Sequence, residues 1–119
     1  MEIKTIQIDS DTFLVFKGTS YIQINVEDIV SLETLNKYVL ITTKDNRKFT
    51  IGCSLPNITK KLCIEYIVVA KGFLINKKYL LELTKKVDNK DKYILVLNDS
   101  YHTTREVSSY IAKNILEQL

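Results

Sequence analysis

The sequence predicts a mostly β domain, with about ten short strands in sandwich-like antiparallel sheets, one short internal helix and a C-terminal helix. Three observations support this fold class. Short apolar or alternating segments recur along the chain, clusters of Gly, Asn, Asp and Lys separate them, and only two segments place apolar residues at helical spacing. At 119 residues and 45% hydrophobic content, the chain is expected to bury a core without a metal or a disulfide.

Residues 1–11 are predicted to be an N-terminal strand or extension, and a single domain is expected to span residues 12–119. The first eight residues alternate imperfectly and end at the turn-prone Asp9-Ser10-Asp11. Residues 13–16 and the alternating residues 21–26 flank a Gly-containing turn. This arrangement predicts that the domain begins with a β-hairpin.

Three further strands and the internal helix are predicted between residues 29 and 63. Residues 29–33, 37–43 and 48–52 are rich in β-branched and aromatic side chains, and Asx residues separate the last two segments. The period then changes: Ser54 is a good N-cap, Pro56 suits a first helical turn, and apolar residues follow at helical spacing to Leu62. This pattern predicts a short amphipathic helix.

The most apolar stretch of the chain, residues 66–76, predicts two buried strands that need cover on both faces. The strands are interrupted at residues 70–72, where Gly72 permits a positive φ. Lys71 is the one charged residue of the stretch. Because a buried, unpaired ammonium is costly, Lys71 is expected to emerge at a surface.

The last part of the chain predicts a second hairpin and the C-terminal helix. Residues 79–87 and 93–97 flank a charged tip, and a short strand is expected at residues 101–103. The helix is expected to run from about Thr104 to Leu116, since Val107, Ile111 and Ile115 lie on one side of it.

The composition argues against an enzyme and predicts no cofactor or metal. His102 is the only histidine, no ligand set has metal spacing, and three scattered glycines cannot form a phosphate-binding loop. No segment approaches the ~18 apolar residues of a membrane span. With no signal peptide, Cys53 and Cys63 are interpreted as reduced thiols of a cytoplasmic protein. The Lys- and Ile-rich composition suggests a low-GC bacterium or its phage.

Charge is distributed unevenly along the chain. The first 36 residues carry two lysines against six acidic residues, whereas the remainder carries 15 basic residues against eight acidic ones. A basic region of this kind favours a polyanionic partner. The densest lysine cluster, around the tip of the second hairpin, alternates with Glu82, Asp88 and Asp91. It is therefore interpreted as a solvated hairpin rather than as a nucleic-acid patch.

The order of these elements resembles the LytTR-type DNA-binding domain of bacterial response regulators, from about Thr12 to the C-terminus. The residues that carry the resemblance are Asp28-Ile29-Val30 with Glu33, Tyr38-Val39, the hairpin at 44–48, Ser54-Leu55 with Leu62, residues 66–76, and Thr103-Thr104-Arg105. Residues 66–76 stand in place of the family pattern Phe-x-Arg-x-His-Arg-Ser-Tyr-Leu-Val-Asn. Four of the polar positions in that pattern are Val68, Ala70, Lys71 and Gly72 here.

The resemblance implies that loops projecting from the β core bind double-stranded DNA. Three clusters would face the duplex: Asn36-Lys37-Tyr38, Lys71, and Thr104-Arg105. Arg105 is the sharpest candidate for base contact, because its planar fork can bind guanine O6 and N7 together. The alternative is a solvated arginine in the first turn of the C-terminal helix.

The other candidates also have two interpretations. Lys71 and Lys37 are either phosphate contacts or solvated lysines, and Tyr38 either donates to a phosphate or packs across strands. Asn36 could equally be a turn residue. Tyrosines 66, 79, 93, 101 and 110 could stack on bases, but their strand context favours core packing.

Two functional hypotheses follow, from different classes. The first is a stand-alone LytTR-like transcriptional regulator that binds duplex DNA. The second is a degenerate LytTR-fold protein-interaction module that modulates another regulator, which Val68, Ala70 and Gly72 favour. A third alternative is a domain of a longer regulator. Candidate partners are double-stranded DNA, a second copy of the chain and a separate regulatory protein, with no membrane insertion.

Overall fold

A computed structural model describes residues 5–7, 11–62 and 64–119. In this part of the chain, eleven strands and two α-helices follow one another: β1 (Thr5–Gln7), β2 (Thr12–Lys17), β3 (Ser20–Asn25), β4 (Ile29–Leu35), β5 (Tyr38–Thr43), β6 (Lys48–Ile51), α1 (Leu55–Lys61), β7 (Tyr66–Ala70), β8 (Phe73–Asn76), β9 (Leu80–Lys85), β10 (Lys92–Leu97), β11 (Thr104–Ser108) and α2 (Ser109–Glu117). Single 3-10 turns at Val26–Asp28 and Lys77–Tyr79 precede β4 and β9. The predicted mostly β architecture is confirmed.

The strands form three antiparallel sheets. The first has the order β1-β2-β3, the central sheet has the order β6-β5-β4-β8-β7, and the third has the order β11-β10-β9. The predicted N-terminal strand is described only at β1, where Ile6 lies opposite Leu14. Residues 1–4 and 8–10 and Cys63 lie outside the described residues.

Two hydrophobic cores lie on opposite faces of the central sheet. On one face, Leu32 and Ile41 pack with Val15 and Ile24 of the first sheet and with Ile58 of α1. The second core combines side chains from the central sheet, the third sheet and α2, among them Ile67, Val69, Phe73, Ile75, Leu95, Val107 and Ile115. Side chains alternate along a strand, so the central sheet can serve both cores.

Helix α1 begins as the sequence predicts. The Ser54 side chain accepts a hydrogen bond from the backbone N–H of Asn57 at 3.3 Å, and Pro56 lies in the first turn. Ile58 of α1 is buried in the first core. The cap and the apolar spacing therefore act together to place α1 on the sheet.

The apolar stretch forms β7 and β8, which are joined by a turn, as predicted. The expectation that both faces of these strands are covered is wrong for β7. Ile67 and Val69 are buried, whereas Val68 is 50% exposed. The reason is position: β7 is an edge strand of the central sheet, and the second core covers only the face that carries Ile67 and Val69.

The predicted start of the C-terminal helix is wrong. Residues 104–108 form β11, with Arg105 opposite Leu95 and Val107 opposite Tyr93. The strand expected at residues 101–103 is a turn in which His102 has φ 47°. Helix α2 begins at Ser109, because the Ser108 side chain caps it by accepting a hydrogen bond from the Ile111 N–H.

Of the five tyrosines expected to pack in the core, three are buried or partly buried and two are exposed. Tyr79 is buried, and its hydroxyl donates to the backbone oxygen of Glu27 at 2.7 Å. Tyr66 and Tyr93 are partly buried against the cores. Tyr101 and Tyr110 are 69% and 71% exposed, so the prediction of core packing is wrong for these two. Both lie after β10, in the region where the sequence pattern predicts the wrong start for the C-terminal helix.

Candidate nucleic-acid interface

Two turns leave the same end of the central sheet. Asn36 and Lys37 connect β4 to β5, and Lys71 and Gly72 connect β7 to β8. Because β8 pairs antiparallel with β4, with Glu33 opposite Phe73, the two turns are neighbours. A backbone hydrogen bond of 2.7 Å from the Thr34 N–H to the Gly72 oxygen joins the two hairpins there.

The first turn presents Lys37 and Tyr38 to solvent. Asn36 has φ 54°, a backbone conformation that Asn tolerates better than most residues. This φ supports the turn interpretation of Asn36. Lys37 is exposed, and Tyr38 is 39% exposed at the start of β5. The turn therefore holds one cation and one phenol at this end of the sheet.

The second turn presents Lys71. Gly72 has φ 77°, as the sequence suggests, and Lys71 is exposed. A Cβ atom on residue 72 would lie 3.3 Å from the Thr34 Cβ. Both the backbone angle and the approach of β4 therefore favour glycine beside Lys71.

Arg105 lies on strand β11, so its interpretation as a residue of the first helical turn is wrong. Its guanidinium carbon is 4.1 Å from the centroid of the Phe73 ring. Its Nη1 atom is 3.7 Å from Oε2 of Glu33, and the two side chains are 48% and 36% exposed. Since Phe73 is the first residue of β8, Arg105 lies near the end of the sheet that carries the Asn36 and Lys71 turns.

A groove of about 320 Å³ runs between β4–β6 and the third sheet. Arg105 and Thr104 line it together with Glu33, Leu40, Lys48 and Phe73. Thr104 is exposed, but the preceding turn packs at the opposite end of the central sheet, where the Ser100 N–H donates to the Lys44 oxygen at 2.8 Å. Among the predicted residues, Thr104 is therefore the one furthest along the groove from the two turns.

Sequence reasoning missed the surroundings of Arg105. In the sequence, Glu33 and Phe73 belong only to predicted strands and to the family pattern. Phe73 is 7% exposed, so its ring is held firmly below the guanidinium. No local signal links these residues, because the contact depends on the β4–β8 pairing and on the packing of the third sheet.

The chemistry of the other reactive side chains is unremarkable. Burial raises the pKa of the Cys53 thiol, with Lys61 opposing the effect, which is the opposite of what a redox-sensing thiol requires. Among the described residues, no group of three or more His, Cys, Asp and Glu side chains could hold a metal ion. No helix in this part of the chain has the length and apolar character needed to cross a membrane.

Comparisons with known proteins agree with this architecture. Over 92% of its length, the chain superimposes with a TM-score of 0.69 and 14% identity on 97% of a LytTr DNA-binding domain from Bacillus cereus. Relatives in Staphylococcus aureus strains MRSA252 and NCTC 8325 / PS 47, both named as uncharacterized HTH-type transcriptional regulators, are 29% identical over 96 residues. These alignments cover 81% of this chain and 62% of each relative.

The chain thus spans about six tenths of the length of these curated relatives. The family model of the LytTr DNA-binding domain matches residues 19–119. The match begins within the first hairpin and extends through α2, so it includes all of the central and third sheets. The family is a class of DNA-binding domains and not a class of enzymes. The chain belongs to the LytTr DNA-binding domain family.

Proposed function

We propose that this chain is a transcriptional regulator that binds duplex DNA with the end of the central sheet that carries the Asn36 and Lys71 turns. Arg105 contacts base edges, Lys71 and Lys37 contact phosphates, and Tyr38 donates to a phosphate from the same turn. The observation that carries the proposal is the arrangement of two exposed lysine turns beside a half-exposed arginine at one end of a rigid sheet.

The lysines and Arg105 have different roles in DNA binding. Lysine on a short turn is a mobile point charge, which suits phosphate contact and the release of counterions from DNA. Arg105 is held differently, since its guanidinium packs against the Phe73 ring. A planar fork suits bidentate contact with guanine O6 and N7 in the major groove. Phosphate contacts then position the protein, and Arg105 supplies sequence preference.

The family assignment and the names of the relatives support regulation of transcription as the biological role. The domain boundary at residues 12–119 remains part of the proposal, as does the assignment of a stand-alone regulator, because the chain covers only 62% of these relatives.

A second candidate function rests on Val68. This apolar side chain is 50% exposed, and Ala70 beside the Lys71 turn is also exposed. An exposed apolar edge of this kind favours contact with another protein. In that case the chain would modulate a separate regulator without binding DNA itself.

The experiment is binding to a pool of random duplex oligonucleotides at two salt concentrations. We expect salt-sensitive binding that enriches one motif. Arg105→Ala should lower affinity for that motif by about 1–3 kcal/mol and relax its selection, whereas Lys71→Ala should weaken all duplexes alike and reduce the salt slope by about one.

The matched control for Arg105 is the second arginine of the chain. Arg47 lies at the opposite end of the central sheet, where it pairs with Asp45 at 2.9 Å. Arg47→Ala should leave motif selection unchanged. Absence of binding at low salt would reject the DNA-binding role and favour the protein-interaction module. Equal losses of affinity on every duplex for Arg105→Ala and Lys71→Ala would show that Arg105 does not supply sequence preference.

A further inference from the structure

We infer that Glu33 is a second base-contacting residue, which accepts a hydrogen bond from the N4 amino group of the cytosine paired with the guanine that Arg105 binds. This inference rests on the proposed function and adds a residue to it. Arg105 and Glu33 would together recognise both bases of a single G·C pair.

The geometry brings a donor and an acceptor side by side. Nη1 of Arg105 lies 3.7 Å from Oε2 of Glu33. The two residues come from different sheets, β11 and β4, so their separation is set by the packing of rigid elements rather than by a flexible loop. The side chains of Arg105 and Glu33 are 48% and 36% exposed, and both line the protein groove between the central and third sheets. Both groups are therefore accessible to a base edge.

The Phe73 ring contacts the arginine of this pair. The ring is nearly buried, and its centroid lies 4.1 Å from the guanidinium carbon, so the guanidinium packs against it. The N–H groups of a guanidinium lie in its own plane, so those that do not face Glu33 remain available to a base edge. Glu33 lies directly opposite Phe73 in the β4–β8 pairing, so the carboxylate and the ring that contacts Arg105 are carried by paired strands.

This order of groups matches one base pair. In the major groove, a G·C pair presents the acceptors N7 and O6 of guanine, followed by the N4 amino donor of cytosine. A fork of donors beside an acceptor complements that series. An A·T pair in the same orientation presents the adenine amino donor to the arginine and the thymine O4 acceptor to the carboxylate, so both contacts become repulsive.

The placement of Glu33 is otherwise hard to explain for a DNA-binding surface. A half-exposed ion pair contributes only about 0–1 kcal/mol to stability. A carboxylate beside the duplex also repels phosphates and so lowers the affinity for every sequence. A direct contact with a base would offset that repulsion at the correct site only, which increases discrimination between sites.

The experiment uses the motif enriched from the random duplex pool. Each guanine is replaced in turn by 7-deazaguanine, which lacks N7, and each cytosine by N4-methylcytosine, which carries a methyl group on the amino nitrogen. For the unaltered chain we expect one guanine and its own paired cytosine to be sensitive, each with a loss of about tenfold in affinity.

The variants then assign each sensitivity to a residue. Glu33→Ala should abolish the response to N4-methylcytosine, keep the response to 7-deazaguanine, and bind unrelated duplexes more tightly. The matched control is Glu65→Ala, which removes the same charge at the opposite end of the sheet, where Glu65 pairs with Lys77 at 3.4 Å. This variant should keep both responses.

Other outcomes would overturn the inference. If the unaltered chain responds to 7-deazaguanine but to no N4-methylcytosine, Glu33 does not contact the cytosine. If Glu33→Ala loses the response to 7-deazaguanine, Glu33 only positions Arg105. Absence of motif-specific binding by the unaltered chain would reject the proposed function and this inference together. The two outcomes above would instead reject the role of Glu33 while the DNA-binding function stands, so the two failures are distinguishable. Thermal unfolding of each variant confirms that it is folded.

Discussion

The side-chain amide of Gln118 forms two hydrogen bonds with the backbone of Val68. The Val68 N–H donates to Oε1 of Gln118 at 2.7 Å, and Nε2 of Gln118 donates to the Val68 oxygen at 2.9 Å. Val68 belongs to β7, an edge strand of the central sheet. Gln118 thus occupies the backbone groups that an additional strand would pair with, and it protects this edge.

Removal of this side chain should weaken the fold and expose the edge. Gln118→Ala is expected to lower the free energy of unfolding by about 0.5–1.5 kcal/mol. This is the usual net contribution of one hydrogen bond rather than two, because both bonds are exposed and water can replace much of the interaction. It should also increase self-association at high protein concentration. Urea unfolding and sedimentation velocity measure the two effects.

The control for this variant is Gln23→Ala, which removes an exposed glutamine from β3. It should change neither quantity. If Gln118→Ala stays as monomeric and as stable as the Gln23→Ala variant, the edge does not depend on Gln118.

The charge and the shape of Arg105 should have separate effects on DNA binding. Arg105→Lys keeps the positive charge but loses the planar fork that packs on Phe73. We expect the salt slope to stay unchanged, while discrimination at one G·C position falls by about 1–3 kcal/mol. Titration of matched and mismatched duplexes at three salt concentrations measures both. Retained discrimination would mean that Arg105 acts only through its charge.

The glycine beside Lys71 should be required for both stability and binding. Gly72→Ala places a side chain at φ 77° and a Cβ atom 3.3 Å from the Thr34 Cβ. The backbone strain alone costs about 1–2 kcal/mol. We expect a larger loss for this variant, measured by urea unfolding, because the Thr34 side chain must also give way by a few tenths of an ångström. DNA binding should weaken as well, since the strain lies in the Lys71 turn.

Gly18→Ala is the matched control. Gly18 has φ 65°, but nothing lies within 4 Å of a Cβ atom there. This variant isolates the backbone cost, so it should be the less destabilising of the two and should leave DNA affinity unchanged. Equal losses of stability would show that the Thr34 contact costs nothing.

Acid should weaken a network in the turn between β5 and β6. The Thr43 hydroxyl donates to the Asp45 carboxylate and accepts from the Arg47 N–H at 3.1 Å. The bond from Thr43 is the main reason that the pKa of Asp45 lies below its ordinary value near 3.8. Thr43→Val should therefore cost about 1 kcal/mol at neutral pH, measured by urea unfolding.

The sign of the pH dependence follows from the lowered pKa of Asp45. The stabilisation is fully present above the ordinary pKa and is lost as the pH falls through the lowered value in the folded protein. The stability difference between Thr43→Val and the parent should therefore narrow below about pH 4. Thr42→Val, at the neighbouring position, is the control for loss of a hydroxyl. A difference that stays constant down to pH 2 would contradict the assignment to Asp45.

Short-range patterns are sufficient to predict most of the fold. Alternation along strands, Asx-rich turns and the Ser54 cap act over a few residues, and they place α1 and the strands up to β10 near their observed positions. The C-terminal region is the exception. Val107 shares helical spacing with Ile111 and Ile115, so the pattern cannot separate the end of β11 from the start of α2, and pairing with β10 decides between them.

The candidate site also combines features that local sequence predicts with features that depend on tertiary structure. Local features predict Lys71 on a glycine turn and offer a turn as one interpretation of Asn36, because turn conformation depends on neighbouring residues. Lys37 is expected at the start of a strand, but it lies in the turn before β5. The surroundings of Arg105 depend instead on contacts between residues far apart in the chain. Only the pairing of β4 with β8 and the packing of the third sheet bring Phe73 and Glu33 to its guanidinium, since non-local contacts form when separate elements bury their apolar faces together.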